Sequence, residues 1–226
     1  MQEADLESIG ISENDDYFIN KVIEAVSSLD FYSMREAIKE SVDAGVSTID
    51  IIKKGVLEGL EESGEMGLIL AAEALSEEMP NIDEEKRKKL AQERNYSGKV
   101  VIGTIKGDIH SLGKNILISI MKSYGMDVMD LGVDVEPEKF LEMSQLPDVK
   151  VIGISYLLSS AEPEIKKALS LLKNGHQNNK VKVILGGAAV SQEIGNESNA
   201  DAFAPDAFAP DAIKGVEIID NWLRNQ

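Results

Sequence analysis

At NYSG, residues 95–98, the hydrophobic period of this chain changes, and no other feature constrains its fold as strongly. Beyond that point KVVIGTI, MDVMDLGV, VKVIGISYLL and VKVILGG are short runs rich in Val and Ile, each ending at Gly, Asp or Ser, with helix-like segments between them. Such alternation predicts a parallel sheet with covering helices. The intervening helices are expected near 113–124, 137–145, 162–174 and 189–196, and a last strand near 200–204 feeds a closing helix over 211–224. Five β/α units in about 125 residues match a flavodoxin-like doubly wound domain, in which ligands sit beyond the carboxyl ends of the strands. The site is therefore expected in the loops after 105, 132, 155, 187 and 203.

Before the change the pattern is helical. Phe18, Val22, Ile23 and Val26 recur at three and four, FYSMREAIKESVDAG repeats that spacing and stops at Gly45, and Ser47 lies three residues before Asp50 as a capping-type start for TIDIIKKGVLEGLEES. MGLILAAEALSEEM then predicts a further, strongly apolar helix up to Pro80, and DEEKRKKLAQER opens with acids and ends with bases, as the helix dipole favours. The expectation is a helical bundle over 1–95 followed by an α/β domain over 96–226 with a five-stranded parallel sheet. DAFAP occurs twice in tandem, at 201–205 and 206–210, lengthening one loop by five residues.

Charge and composition exclude several function classes. Lys and Arg number 23 against 40 Asp and Glu, a formal net charge of −17, of which −13 falls on residues 1–98 and −4 on the remainder. A surface this acidic opposes nucleic acid and anionic lipid as partners. No apolar run approaches the roughly 20 residues of a membrane span. The N-terminal MQEADLESIGISENDD has neither the basic start nor the apolar stretch of a secretory signal, and with zero Cys there is no disulfide framework, thiol nucleophile or zinc–thiolate site, so a cytoplasmic location is expected.

The chemistry concentrates in GTIKGDIHSLGKNI, 103–116. Gly103, Gly107 and Gly113 allow tight backbone, and Lys114 follows, but a phosphate loop fails at Asp108, where glycine is needed, and at Asn115, where Ser or Thr is needed. What remains is Asp108-Ile109-His110 at the lip of a strand. A carboxylate two residues from an imidazole in extended chain can accept the Nδ1 proton, which frees Nε2 for a metal and strengthens it as a donor. A surface histidine beside an acid, or a His–Asp general-base pair lacking an evident nucleophile, would show the same spacing. The second histidine, His176, falls in the polar KNGHQNNK turn, expected to be exposed.

The string from Val101 to Asn115 resembles the extended form of the cobalamin-binding signature DxHxxG, found in corrinoid proteins of methyltransferase systems and in the cobalamin domain of cobalamin-dependent methionine synthase. Ser155-Tyr156-Leu157 is similar to that family's S-x-L, Gly186-Gly187 to its glycine pair, and DAFAPDA to its aromatic-containing closing segment, and the helical half resembles its cap domain. The resemblance implies cobalamin bound base-off, with His110 as the lower cobalt ligand, held and tuned by Asp108. It implies cofactor contacts from Gly107, Ile109, Ser111, Leu112 and Gly113 in the signature loop and from Ser155, Leu157, Gly186 and Gly187. Phe203 or its copy Phe208 would supply the aromatic.

Cobalt would cycle between cob(I)alamin and methylcobalamin, with His110–Asp108 protonation linked to the cycle. The family often has a hydroxyl residue near Ala161 that extends the His–Asp relay; here Ser159 and Ser160 are the substitutes at hand. Ser111 replaces a common acid. About ten residues of the family's cap also lack a counterpart between GLEESGE and MGLILAAEAL, leaving Leu68, Ile69, Leu70 and Leu75 as candidates either to shield the upper face or to fill the bundle core.

The function implied is a methyl carrier between a substrate-specific methyltransferase and an acceptor methyltransferase using a thiol or folate, with a reductive activating protein as a further partner. No substrate-binding or folate-binding domain is visible in 226 residues, so catalysis by the chain alone is not expected. The cobalamin subunit of an adenosylcobalamin-dependent mutase is an alternative that would need no helical cap. A cobalamin-sensing module is another, which the charge and the absence of a helix-turn-helix before residue 17 oppose.

Overall fold

The computed structural model describes residues 13–78, 84–175, 181–187, 189, 202–204 and 210–225. The chain divides into two compact units, Met1–Met79 and Pro80–Gln226.

The first unit is helical. Helix α1 (Glu13–Ser27) is followed by α2 (Phe31–Asp43), whose N-cap Asp30 accepts from the Tyr32 and Ser33 amides at 3.0 and 3.3 Å. A chain of helix then runs from α3 (Thr48–Asp50) through a π-helical turn (Ile51–Val56) into α4 (Leu57–Glu78). Its start is the predicted cap: Ser47 Oγ accepts from the Asp50 amide at 3.1 Å and donates to Asp50 Oδ2 at 2.6 Å. Gly55 and Gly59 let it cross α1 closely, since a Cβ on Gly55 would lie 2.8 Å from Val22 Cγ1 and one on Gly59 2.7 Å from Val26 Cβ. The two helices expected on either side of SGEM are one. Ser63 satisfies its hydroxyl by donating to the Gly59 carbonyl at 2.9 Å, and no residue of this stretch takes the positive φ that would terminate a helix.

The second unit opens with α5 (Glu84–Glu93), which therefore belongs with the sheet and not with the helical half as the 95/96 boundary had it. The physical reason is packing. Leu90 lies so close to Gly125 that a Cβ there would come within 2.6 Å of Leu90 Cβ, and the Arg94 guanidinium sits 4.4 Å from the Tyr124 ring centroid. The sheet comprises β1 (Lys99–Thr104), β2 (Asp127–Asp130), β3 (Val149–Ser155), β4 (Lys182–Gly186) and β5 (Ala202–Ala204), all parallel, in the order β2-β1-β3-β4-β5. Between them run α6 (Leu112–Ser123), α7 (Pro137–Ser144), and α8 (Glu162–Gly175) after a short 3-10 turn at Ser159–Ala161; α9 (Pro210–Arg224) closes the unit. Apart from residue 189, the expected helix at 189–196 lies outside the described residues.

Strands β1 and β3 are buried nearly end to end because helices cover both faces. One face packs Phe140, Ile152, Ile154, Ile165 and Leu169 into a continuous core under α7 and α8. On α6 and α9, Ile116, Ile120, Val216, Ile219 and Leu223 are buried. The order of strands reverses between β1 and β3, which makes the crevice beyond their carboxyl ends the switch point of the sheet. Among the described residues no helix is long and apolar enough to cross a membrane.

The NYSG segment is fastened to α9. The Tyr96 hydroxyl donates to Asp220 Oδ1, the Ser97 amide to the Leu223 carbonyl at 3.2 Å, and Arg224 Nε lies 2.9 Å from Asp220 Oδ2. Burial, reinforced by the Asp220 carboxylate, pushes the Tyr96 phenol up to about 12. A folded pKa above the usual value of about 10 means stability fully present below pH 10 and lost as pH rises toward 12. An absorbance titration of tyrosinate should therefore show a late class, and Tyr96→Phe should reduce it by one tyrosine; an unchanged late class would contradict this packing.

Candidate functional site

Strand β1 ends at Thr104, and the chain leaves the sheet through Ile105, paired with Val135 in an isolated parallel bridge, into a turn at Gly107 with φ of +81°. This turn delivers Asp108 into the interior, where it is completely buried. Its carboxylate takes four N–H donors. Oδ1 accepts from the His110 amide at 2.9 Å and lies 2.8 Å from His110 Nδ1; Oδ2 accepts from the Leu157 amide at 2.6 Å and the Leu158 amide at 3.0 Å. Burial alone would push this carboxyl up, but the His110 and Leu157 amides, the His110 imidazole and the Leu158 amide outweigh it and hold the pKa below the usual carboxylate value. The group is an anion fixed between the loops after β1 and β3.

A carboxylate can only accept, so the proton of a neutral His110 sits on Nδ1 and Nε2 carries the free lone pair. The His110 side chain is 49% exposed, and its backbone carbonyl accepts from buried Thr104 Oγ1 at 2.9 Å. The imidazole is thus held from both its ring and its backbone while its second nitrogen remains available. Thr104 was not singled out from the sequence; a polar residue closing an otherwise apolar strand, six residues before the histidine, was the signal.

The other predicted positions are distributed around this pair. Ile109 is 72% exposed; Leu158 and Val133, neither singled out from the sequence, are each more than a third exposed. Ser111 is the N-cap position of α6 without a side-chain capping bond; Leu112 and Gly113 form its first turn, partly buried. Ser155 is half-buried at the end of β3, in register with Thr104 and Gly186, and its carbonyl accepts from the Ile105 amide at 3.1 Å. Leu157 contributes its backbone N–H to Asp108.

Ser159 and Ser160 are exposed, and neither bonds to Asp108. The place expected for a relay hydroxyl is served by the Leu157 and Leu158 amides instead, with Ala161 buried beside them. Phe203 lies in β5, paired with Leu185; Phe208 and His176 fall outside the described residues. In the helical unit Leu75 is fully buried, Ile69 is 43% exposed and Leu70 partly so; the Leu68 side chain is outside what the structure describes.

The glycine pair divides two tasks. At Gly187, φ is +122° and a Cβ would lie 2.1 Å from the Tyr156 carbonyl oxygen, so this glycine is demanded by close backbone approach. At Gly186 nothing among the described residues lies within 4 Å of where a Cβ would stand. Among those residues the position is open, at the carboxyl edge of the sheet.

These features fit a cobalamin. A single imidazole with a fixed tautomer is a one-ligand donor set, suited to a metal whose remaining positions come from its own macrocycle, and the space over Gly186 could take a bulky group at the sheet edge. The family model described as a B12 binding domain matches residues 98–208, which makes this a cobalamin-binding domain. A corrinoid protein of Desulfitobacterium hafniense (strain Y51) is 31% identical over 195 residues, covering 82% of this chain and 90% of the relative. The trimethylamine corrinoid protein of Methanosarcina barkeri is 32% identical over 199 residues, covering 84% and 91%. The structure of the Methanosarcina barkeri monomethylamine corrinoid protein superimposes with a TM-score of 0.65 at 25% identity, covering 90% of this chain and 99% of that one. The chain belongs to the corrinoid proteins of methyltransferase systems, and its cofactor is cobalamin.

Two kinds of substitution test the geometry without cofactor. Asp108→Asn places an amide N–H₂ among four donors and should lower the unfolding free energy of the apo-protein in urea by about 2–3 kcal/mol; a loss below about 0.5 kcal/mol would show that the carboxylate is not holding these loops. Gly187→Ala should cost more than about 3 kcal/mol, through strain at positive φ and the clash with Tyr156. Gly186→Ala should stay within about 0.5 kcal/mol of wild type, and equal losses at the two glycines would refute the division.

Proposed function

We propose that this chain carries a methyl group between two methyltransferases, holding cobalamin base-off with His110 Nε2 as the lower ligand of cobalt. The observation that carries the reading is the buried Asp108 carboxylate, which commits Nδ1 of His110 and leaves Nε2 free beyond the carboxyl end of β1. When bound, the cofactor supplies a cobalt centre that accepts a methyl group from one partner and yields it to another. The protein's residues do the holding. Asp108 fixes the tautomer and raises the donor strength of the imidazole, and Thr104 anchors the backbone behind it. Gly186 leaves room for the displaced nucleotide tail beside Ser155, which can hydrogen-bond it, and Ile109 and Leu158 offer apolar contact to the ring.

The donor side of the reading follows the relatives, several of which are named as trimethylamine, dimethylamine or monomethylamine corrinoid proteins. We therefore take a methylated amine as the first candidate donor, delivered by a dedicated methyltransferase, with a thiol or folate as acceptor and a reductive activating protein restoring the cofactor after adventitious oxidation. The sheet unit's two named sites, the His110 lip and the Gly186 edge, serve the cofactor in this reading.

The decisive measurement is electron paramagnetic resonance of the one-electron-reduced, cobalamin-loaded protein prepared with isotopically labelled histidine. Wild type should show nitrogen coupling that follows the histidine label, and His110→Ala should lose it while still binding cofactor more weakly. Coupling that persists in His110→Ala, or that never follows the label, would overturn the ligand assignment.

A further inference from the structure

We infer that Asp134 is a further residue that positions His110, acting through Gly107 and Asp108 from the loop after β2; the inference rests on the reading of His110 as the cobalt ligand. Asp134 is exposed, and an exposed acid is ordinarily replaceable at little cost. Yet it adopts φ of +56°, a left-handed conformation that a side chain other than Asn or Asp enters at a penalty. Two bonds account for this backbone. The Asp134 amide donates to the Asp108 carbonyl at 3.0 Å, and Asp134 Oδ1 accepts from the Gly107 amide at 2.8 Å. The residue therefore grips the Gly107–Asp108 dipeptide from both ends.

The grip is continuous with the sheet on one side and with the imidazole on the other. Val135 donates to the Thr104 carbonyl at 2.9 Å and accepts from the Lys106 amide at 2.9 Å, so the loop after β2 is registered against the end of β1 before Asp134 is reached. Past Asp134 the Asp108 side chain leads directly to His110 Nδ1. Gly107 is required by this arrangement: its φ of +81° turns its N–H toward Asp134, and Oδ1 of Asp134 is the acceptor that N–H receives. The hydrogen bonds of Asp134 go to Gly107 and Asp108 and none goes to the imidazole, so its role is positioning and not ligation.

Two substitutions separate the side-chain acceptor from the backbone conformation. Asp134→Asn keeps a side-chain oxygen and tolerates the same backbone, so it should behave as wild type. Asp134→Gly accepts the left-handed backbone without strain and removes the acceptor together with the rest of the side chain. In the cofactor-free full chain, amide hydrogen exchange at His110, Leu157 and Leu158, whose N–H groups all end on Asp108, should speed by on the order of tenfold in Asp134→Gly and not in Asp134→Asn. The centre of β3 should exchange as in wild type. Unchanged exchange at the three amides would overturn the inference, and so would a uniform rise across the unit, which would mean a loss of global stability only. In the cobalamin-loaded protein, Asp134→Gly should show a mixture of histidine-coupled and uncoupled resonance signals, and Asp134→Asn a single coupled one. Should wild type itself lack histidine coupling, the ligand reading fails, while the amide exchange still decides whether Asp134 sets the loop.

Discussion

Everything at the carboxyl edge of the sheet depends on one buried charge. Asp108 brings an ionised carboxylate into an environment that would penalise it by several kcal/mol were it unpaired, and four N–H groups offset that penalty. Those donors come from two loops, so the interaction that keeps Asp108 charged also registers the end of β1 against the end of β3. The imidazole is one of the four. Its orientation thus follows in part from satisfying the carboxylate, with Thr104 holding the backbone behind it, and its second nitrogen is left uncommitted.

The switch point of the sheet explains why this arrangement sits where it does. Strand β1 lies between β2 and β3, so the loops following all three strands converge around the turn at Gly107. Hydrogen bonds from the loop after β2 hold the backbone of that turn, and the loop after β3 holds its side chain. A single loop could not fix both. The Lys114 ammonium, buried and bonded at 2.7 Å to both oxygens of Asp130, has the corresponding role at the start of α6, tying that helix to the end of β2.

Much of this was legible in the sequence, because the signals were local. The Val- and Ile-rich runs marked β1 to β4 through their continuous apolar character, the Ser47–Asp50 cap marked a helix start, and Asp108-x-His110 marked the site by the reach of a side chain across two residues. What failed was non-local. The helix expected to break near SGEM continues because its packing against α1 compensates the cost of its glycines. Helix α5, assigned by its period to the helical half, packs on the sheet unit through Leu90 and Arg94, a contact with Gly125 and Tyr124 about thirty residues away that no periodicity reports. The glycine pair was visible as a pair, but the different demands on its members come from Tyr156, whose backbone meets one glycine and leaves the other open.

The alanine at 161 is best understood from the same carboxylate. A relay hydroxyl at this place would have to find a lone pair on Asp108, and an ionised carboxylate offers about four such positions. All four are used here, two by His110 and two by the amides of Leu157 and Leu158. A hydroxyl added to this set would either displace an amide, leaving a buried N–H without an acceptor, or remain unpaired itself, and both outcomes cost more than the methyl group that fills the position. Ala161 is therefore consistent with a loop after β3 that has taken over the hydroxyl's bond with its own backbone. The carboxylate is restrained by the fold of the chain, and the side chains at 159 and 160 are left on the surface.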